Sequence, residues 1–121
     1  MTINTILIVD DSPTDRQHLS AMLSKNGFKV STAESAEDAL AKVKQQRPDL
    51  VLMDVVMPGQ NGFQATRTLT RDESTKDIPV ILCTSKGQET DKVWGMRQGA
   101  RDYVVKPVVQ ADLLAKIAAL G

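Results

Sequence analysis

Cysteine, histidine, net charge and long apolar runs are all scarce in this sequence, and each scarcity removes a class of protein. The lone Cys83 cannot form an internal disulfide. It sits in the apolar run Val80-Ile81-Leu82-Cys83, which reads as a small buried thiol with no chemical role. The lone His18 falls in a helical stretch and reads as a surface residue, so no His/Cys cluster suggests zinc. Acids and bases balance to a formal net charge of zero, with a pI of about 6.6, and direct binding to a phosphate backbone is not expected. No apolar run approaches the roughly 18–20 residues needed to cross a bilayer, so no membrane insertion is expected. Met1-Thr2-Ile3-Asn4 also lacks the charged and long apolar regions of a secretory signal, and the expected location is cytoplasmic.

What remains is an ordinary globular composition: 121 residues, 41% apolar and 25% charged, which suits one domain with one core. Short apolar runs recur at even spacing, at Ile6-Leu7-Ile8-Val9, Leu50-Val51-Leu52-Met53, Val80-Ile81-Leu82-Cys83 and Tyr103-Val104-Val105. Such runs suit parallel strands buried on both faces. Phe28-Lys29-Val30-Ser31-Thr32 alternates instead and reads as an edge strand. Between these lie five sets at helical spacing: Leu19, Met22, Leu23; Ala36, Leu40, Val43; Phe63, Thr66, Leu69; Val93, Met96, Ala100; and Leu113, Ile117, Leu120. Ser12-Pro13-Thr14-Asp15 and Ser35-Ala36-Glu37-Asp38 carry helix-start signals, and Gly27 and Gly99 stand where left-handed helix ends are expected. Strand and helix thus alternate as βαβαβαβαβα, an α/β pattern with a parallel sheet covered on both faces.

In such folds ligands bind beyond the carboxyl ends of the strands. The residues there are Asp10-Asp11, Asp54, Thr84-Ser85 and Lys106-Pro107. Singly, each has a plain structural use: an Asp or Thr after a strand caps the next helix, and a Lys is a solvated charge. Jointly, the carboxylates would repel unless a cation sat among them. Magnesium fits, as a hard ion that takes one or two carboxylates plus phosphate oxygens. A carboxylate beside it can attack a phosphoryl group while a nearby ammonium neutralises the equatorial oxygens. Asp54 is the candidate nucleophile, Asp10 and Asp11 the candidate metal holders, Lys106 the point charge, and Thr84 a hydroxyl for a phosphoryl oxygen.

With these residues in view, the sequence resembles the receiver domains of two-component response regulators, the CheY-like family. The motifs are Ile6 to Asp11, Asp49 to Asp54 running into Met57-Pro58-Gly59 and Gly62, Pro79 to Thr84, Gly99-Ala100, and Asp102-Tyr103-Val104-Val105-Lys106-Pro107. The resemblance implies a single doubly wound, flavodoxin-like (βα)5 domain with sheet order 2-1-3-4-5. It implies phosphorylation of Asp54 and magnesium bound by Asp11, Asp54 and the main-chain carbonyl of Val56, with Asp10 acting through water. It further implies phosphoryl contacts from Thr84 and Lys106, a cis Lys106-Pro107 bond, and a switch in which the Tyr103 ring moves inward as Thr84 is drawn to the phosphate. The stretches Asn61 to Arg67 and Gln88 to Tyr103 resemble PilH-type regulators of type IV pilus and twitching systems, whose phosphodonor would be a chemotaxis-like histidine kinase.

On this reading residues 1–121 form a stand-alone receiver without an output domain, a monomer signalling to a protein target through the fourth helix, fifth strand and fifth helix. It is expected to be a phosphoacceptor switch with intrinsic autophosphorylation and autodephosphorylation, and not an enzyme in the usual sense. A phosphate sink draining a shared kinase and a constitutive binding module are the competing readings. An aspartate phosphatase would need a second acid two residues after Asp54, where Val56 stands. No phosphate-loop glycine pattern and no glycine-flanked nucleophilic serine is present, and Gly59 and Gly62 read as turn formers. Trp94 lies off the fourth helix's stripe, as core cover or partner contact, and Gly95 within that helix reads as a weak point or a close-packing site.

Overall fold

The computed structural model describes residues 3–55, 61–85 and 89–120. The elements run β1 (Thr5–Val9), α1 (Pro13–Lys25), β2 (Lys29–Ala33), α2 (Ala36–Gln45), β3 (Leu50–Asp54), α3 (Gly62–Arg71), β4 (Val80–Ser85), α4 (Glu89–Arg97), β5 (Asp102–Lys106) and α5 (Gln110–Leu120). All the pairings are parallel, in the order β2-β1-β3-β4-β5 that the resemblance implies.

The sheet is buried on both sides because side chains alternate across it. Leu7, Val9, Val51, Met53, Val80 and Leu82 face one core cluster, while Ile6, Ile8, Leu50, Leu52, Ile81 and Cys83 face the other. Burial of each such Leu, Ile or Val stabilises the fold by roughly 1.5–3 kcal/mol. β2 is the expected edge, with alternating cover. β5 departs from expectation. Its Tyr103-Val104-Val105 run reads as covered on both faces, yet only Val104 is buried, because β5 is the sheet's other edge.

The helix starts follow from their caps. Ser12 accepts from the Asp15 amide ahead of Pro13, and Ser35 accepts from the Asp38 amide. Asn61 and Gln64 form a capping box that opens α3. Gly27 and Gly99 adopt φ of 90° and 104°, as the helix ends require. The apolar stripes of α1, α2, α3 and α5 face the core, with Met22, Leu40, Phe63 and Leu120 half-buried at its margins.

α4 does not follow its stripe. Val93 and Met96, expected inside, are 54% and 46% exposed, and Trp94 is 52% exposed. Among the α4 residues whose burial is described, the buried one is Gly95, where an added Cβ would lie 1.8 Å from Leu82 Cδ1; Ala100, the last member of the stripe, is buried beyond the helix end. The helix docks on β4 through its one residue without a side chain, and its large apolar residues turn outward. Gly95 is therefore a close-packing site.

Candidate functional site

Parallel pairing places the strand ends at one edge of the sheet. Val9 stands opposite Met53, so Asp10 and Asp54 emerge side by side, while Ser85 pairs with Lys106 two strands across from β1's neighbour β3. The Asp10, Asp11 and Asp54 carboxylates present oxygens that all lie within 4.8 Å of one another. Asp10 and Asp54 are buried and Asp11 is exposed, so the cluster opens to solvent on one side.

Lys106 crosses β4 with its long side chain and delivers its ammonium into this cluster. Its Nζ lies 2.9 Å from Asp10 Oδ2 and 3.1 Å from Asp54 Oδ1. A third carboxylate, Asp15 Oδ2, lies 3.2 Å from the same nitrogen. Asp10 is anchored further by the Ser12 amide, which donates to Oδ1 at 2.9 Å, and Arg16 Nη1 donates to the Asp10 carbonyl at 2.7 Å. Asp54 is pressed from behind by α3. The Gly62 amide donates to the Val55 carbonyl, and a Cβ on Gly62 would stand 2.2 Å from the Asp54 carbonyl oxygen. Only glycine lets the helix begin this close to the end of β3.

One ammonium does not balance this charge. Burial, then the Asp10 charge, push the Asp54 carboxyl up to about 6, against the pull of Lys106; Asp11 adds to the push. Burial disfavours the Lys106 charge too, but its hydrogen bonds to Asp10 and Asp54 outweigh this and hold its pKa above the ordinary lysine value. The same pairing outweighs burial at the ammonium, whereas at Asp54 burial and the Asp10 charge outweigh the pairing. Burial lifts the Cys83 thiol to about 12, in keeping with an inert core residue.

The other expected residues fall around the cluster. Thr84 is buried at the end of β4, and its hydroxyl donates to the Val104 carbonyl at 3.4 Å. Tyr103 is half-buried on β5, packs against a core cluster, and carries the Lys116 ammonium 4.8 Å from its ring centroid. The Lys106–Pro107 bond is cis. Val56, with Met57-Pro58-Gly59, lies outside the described residues. His18 is exposed, as expected. Two contacts escaped the sequence reading: Asp15, seen only as a first-turn acid, and Arg16. Their signal is position, since a helix that starts two residues after a site carboxylate keeps its first turn beside the site.

Residues 6–118 match the family model described as the response regulator receiver domain. The chain belongs to this family. This receiver is 61% identical over 115 residues to Protein PilH of Pseudomonas aeruginosa, spanning 95% of each chain. It is 40% identical over 120 residues to the phosphate regulon transcriptional regulatory protein PhoB of the same species, covering 99% of this chain but 52% of that one. The receiver thus spans about half the length of PhoB. Its fold superposes on the chemotaxis protein CheY4 of Vibrio cholerae with a TM-score of 0.91 at 31% identity, covering 99% of this chain and 100% of the other. The receiver is therefore the receiver domain of a response regulator, close to PilH, with a CheY-like sheet. Among the described residues no helix is long and apolar enough to cross a membrane.

The donor set of this receiver suits a hard divalent ion. Its three clustered groups are all carboxylates whose oxygens lie within 4.8 Å of one another, the all-oxygen donor set that such ions take. Among the described residues no soft or imidazole ligand joins the cluster.

Proposed function

We propose that this receiver accepts a phosphoryl group on Asp54 from the phosphohistidine of a histidine kinase, and that its phosphorylated form signals through protein contacts. The convergence of Asp10, Asp11 and Asp54 beside the Lys106 ammonium carries this reading. Asp11 and Asp54 would hold magnesium directly and Asp10 through water; the family resemblance adds the Val56 carbonyl. Magnesium, when bound, neutralises the carboxylates and draws electron density from the phosphoryl oxygens.

The chain's own groups do the rest. An Asp54 oxygen attacks phosphorus, a P–O bond forms, the P–N bond to the donor histidine breaks, and the imidazole leaves with a proton from solvent. Lys106, already 3.1 Å from Asp54 Oδ1, places its positive charge where the phosphoryl oxygens arrive. The Thr84 hydroxyl exchanges its long 3.4 Å bond to Val104 for a phosphoryl oxygen. Hydrolysis reverses the state: a water oxygen bonds phosphorus, the acyl phosphate P–O bond breaks, and phosphate leaves a restored Asp54 carboxylate. The acceptor is the protein's own side chain, so the receiver acts as a switch and not as an enzyme in the usual sense.

Phosphorylation adds about −1.5 to −2 charges and three acceptor oxygens. Thr84 leads toward α4 and Lys106 leads out of β5, so the readout face is α4, β5 and α5, with Tyr103 as its movable ring. The exposed Val93, Trp94 and Met96 supply apolar contact area there for a protein target. Likeness to PilH supports a place in type IV pilus and twitching control, in the cytoplasm.

Incubation with a small phosphodonor and magnesium, read by intact mass, tests the assignment. One phosphoryl adduct is expected on the native chain, and none on Asp54→Asn or in excess chelator. An adduct that survives either change would defeat the reading.

A further inference from the structure

Lys106 has a third carboxylate partner that the phosphoacceptor reading does not use. Asp15 Oδ2 lies 3.2 Å from its Nζ, a distance comparable with those to Asp10 and Asp54. The three partners differ in burial: the Asp10 and Asp54 side chains are 2% and 9% exposed, and Asp15 is 45% exposed. Asp15 is held in place from its backbone, through the cap in which its amide donates to Ser12 Oγ at 3.3 Å. It stands in the first turn of α1, where the helix dipole favours a carboxylate. Its backbone is therefore anchored beside Lys106, while its carboxylate stays half in water.

We infer that Asp15 is a positioning and charge-tuning residue of the phosphorylation site: it holds Lys106 in the unphosphorylated protein, gives it up to the phosphoryl group, and opposes the arrival and retention of that group. The inference rests on the phosphoacceptor role of Asp54. An ammonium has three donors, and here three carboxylates share them. A phosphoryl group on Asp54 brings new anionic acceptors that need one of those donors. Asp10 is buried and would be left unpaired at high cost if it lost the ammonium. Asp15 is half in water, where a released carboxylate is resolvated, and a pair so exposed is weakly held. It is therefore the partner that yields. Because Asp15 and Asp54 both lie within 3.2 Å of one nitrogen, the Asp15 charge neighbours the site of the incoming group and penalises an anionic donor and the phosphorylated product alike.

The test compares native protein with Asp15→Asn, Asp15→Ser and Asp15→Glu, using acetyl phosphate and magnesium at low and high ionic strength. At low salt, Asp15→Asn and Asp15→Ser should raise kcat/KM for phosphorylation by about 3- to 10-fold, mostly through a lower KM, and slow loss of the phosphoryl group by a similar factor. High salt should shrink both effects, because the charge is exposed. Asp15→Glu should stay near native. A merely structural role would change the neutral variants' melting temperature without this salt-sensitive split between KM and kcat. If the native chain takes up phosphoryl and both neutral variants match it or fall below it at low salt, the inference fails alone. If the native chain takes up none, the phosphoacceptor reading fails and this one fails with it.

Discussion

Around Asp54, burial and like charge act against the folded protein while Lys106 acts for it, and the balance has a sign that can be measured. The raised Asp54 carboxyl means that above about pH 6 its ionised form is held at a loss of stability. Asp54→Asn keeps the shape and removes the charge, and Lys106 retains Asp10 and Asp15 as partners. Without divalent ion at neutral pH, this variant should be more stable than native by about 1–2 kcal/mol, seen as a higher melting temperature. Added magnesium should then stabilise the native chain by mass action and leave Asp54→Asn nearly unchanged. A variant less stable than native in chelator would show that the Lys106 pairing outweighs the crowding.

The behaviour of α4 turns on one contact between two elements. Alanine at Gly95 gains about 1 kcal/mol of helix propensity, but its Cβ would meet Leu82 Cδ1 at 1.8 Å. Leu82 is a fully buried residue of β4, so its side chain can shift only into neighbouring core groups. Overpacking of this kind costs roughly 1–3 kcal/mol, so Gly95→Ala should be destabilising in urea melts. The same change in a Leu82→Ala background should become neutral or stabilising, since the obstructing methyl is gone. Equal effects in both backgrounds would mean that α4 does not dock through Gly95. The same docking leaves Val93, Trp94 and Met96 outward on the proposed readout face, so a stability device and a contact surface share one helix.

At the opposite end of the sheet from the carboxylate cluster, Asp49 ties the start of β1 to the start of β3, which affects the stability of the whole molecule. Its Oδ2 accepts from the Asn4 amide at 2.8 Å and the Thr5 amide at 3.1 Å, and its own amide donates to Thr5 Oγ1 at 2.9 Å. The Asn4 bond first, then the Thr5 bond, lower the Asp49 pKa below the ordinary carboxylate value. A depressed folded pKa contributes stability that is complete above the unfolded value, and the contribution is lost as pH falls through the folded one. Asp49→Asn should therefore be less stable at neutral pH by about 1 kcal/mol, the solvent-weakened worth of such bonds, with the gap closing in acid. A gap that persists unchanged at the lowest pH would rule out the charge as its source. Phosphorylation of Asp54 should be unaffected, because the two sites lie at opposite strand ends.

Local pattern was enough for much of this molecule. Apolar runs marked β1, β3 and β4, alternation marked β2 as an edge, and the Ser12-Pro13 and Ser35 signals marked where α1 and α2 begin, because each depends on neighbours in the chain. Asp10, Asp11, Asp54, Thr84 and Lys106 could be picked out as candidate site residues because strand ends are readable and such polar groups there need a reason. Other features depended on what lies across space. Which strand closes the sheet left all of β5 but Val104 only half-buried, despite its apolar run. The packing of Gly95 on Leu82 rotated α4 away from its own stripe. The position of Asp15 in the first turn of α1 placed it near the site, but its pairing with Lys106 was set only when β5 came within reach across β4. Periodicity reports which face is apolar, but the distance between groups far apart in sequence is set only when the sheet is assembled and its helices dock.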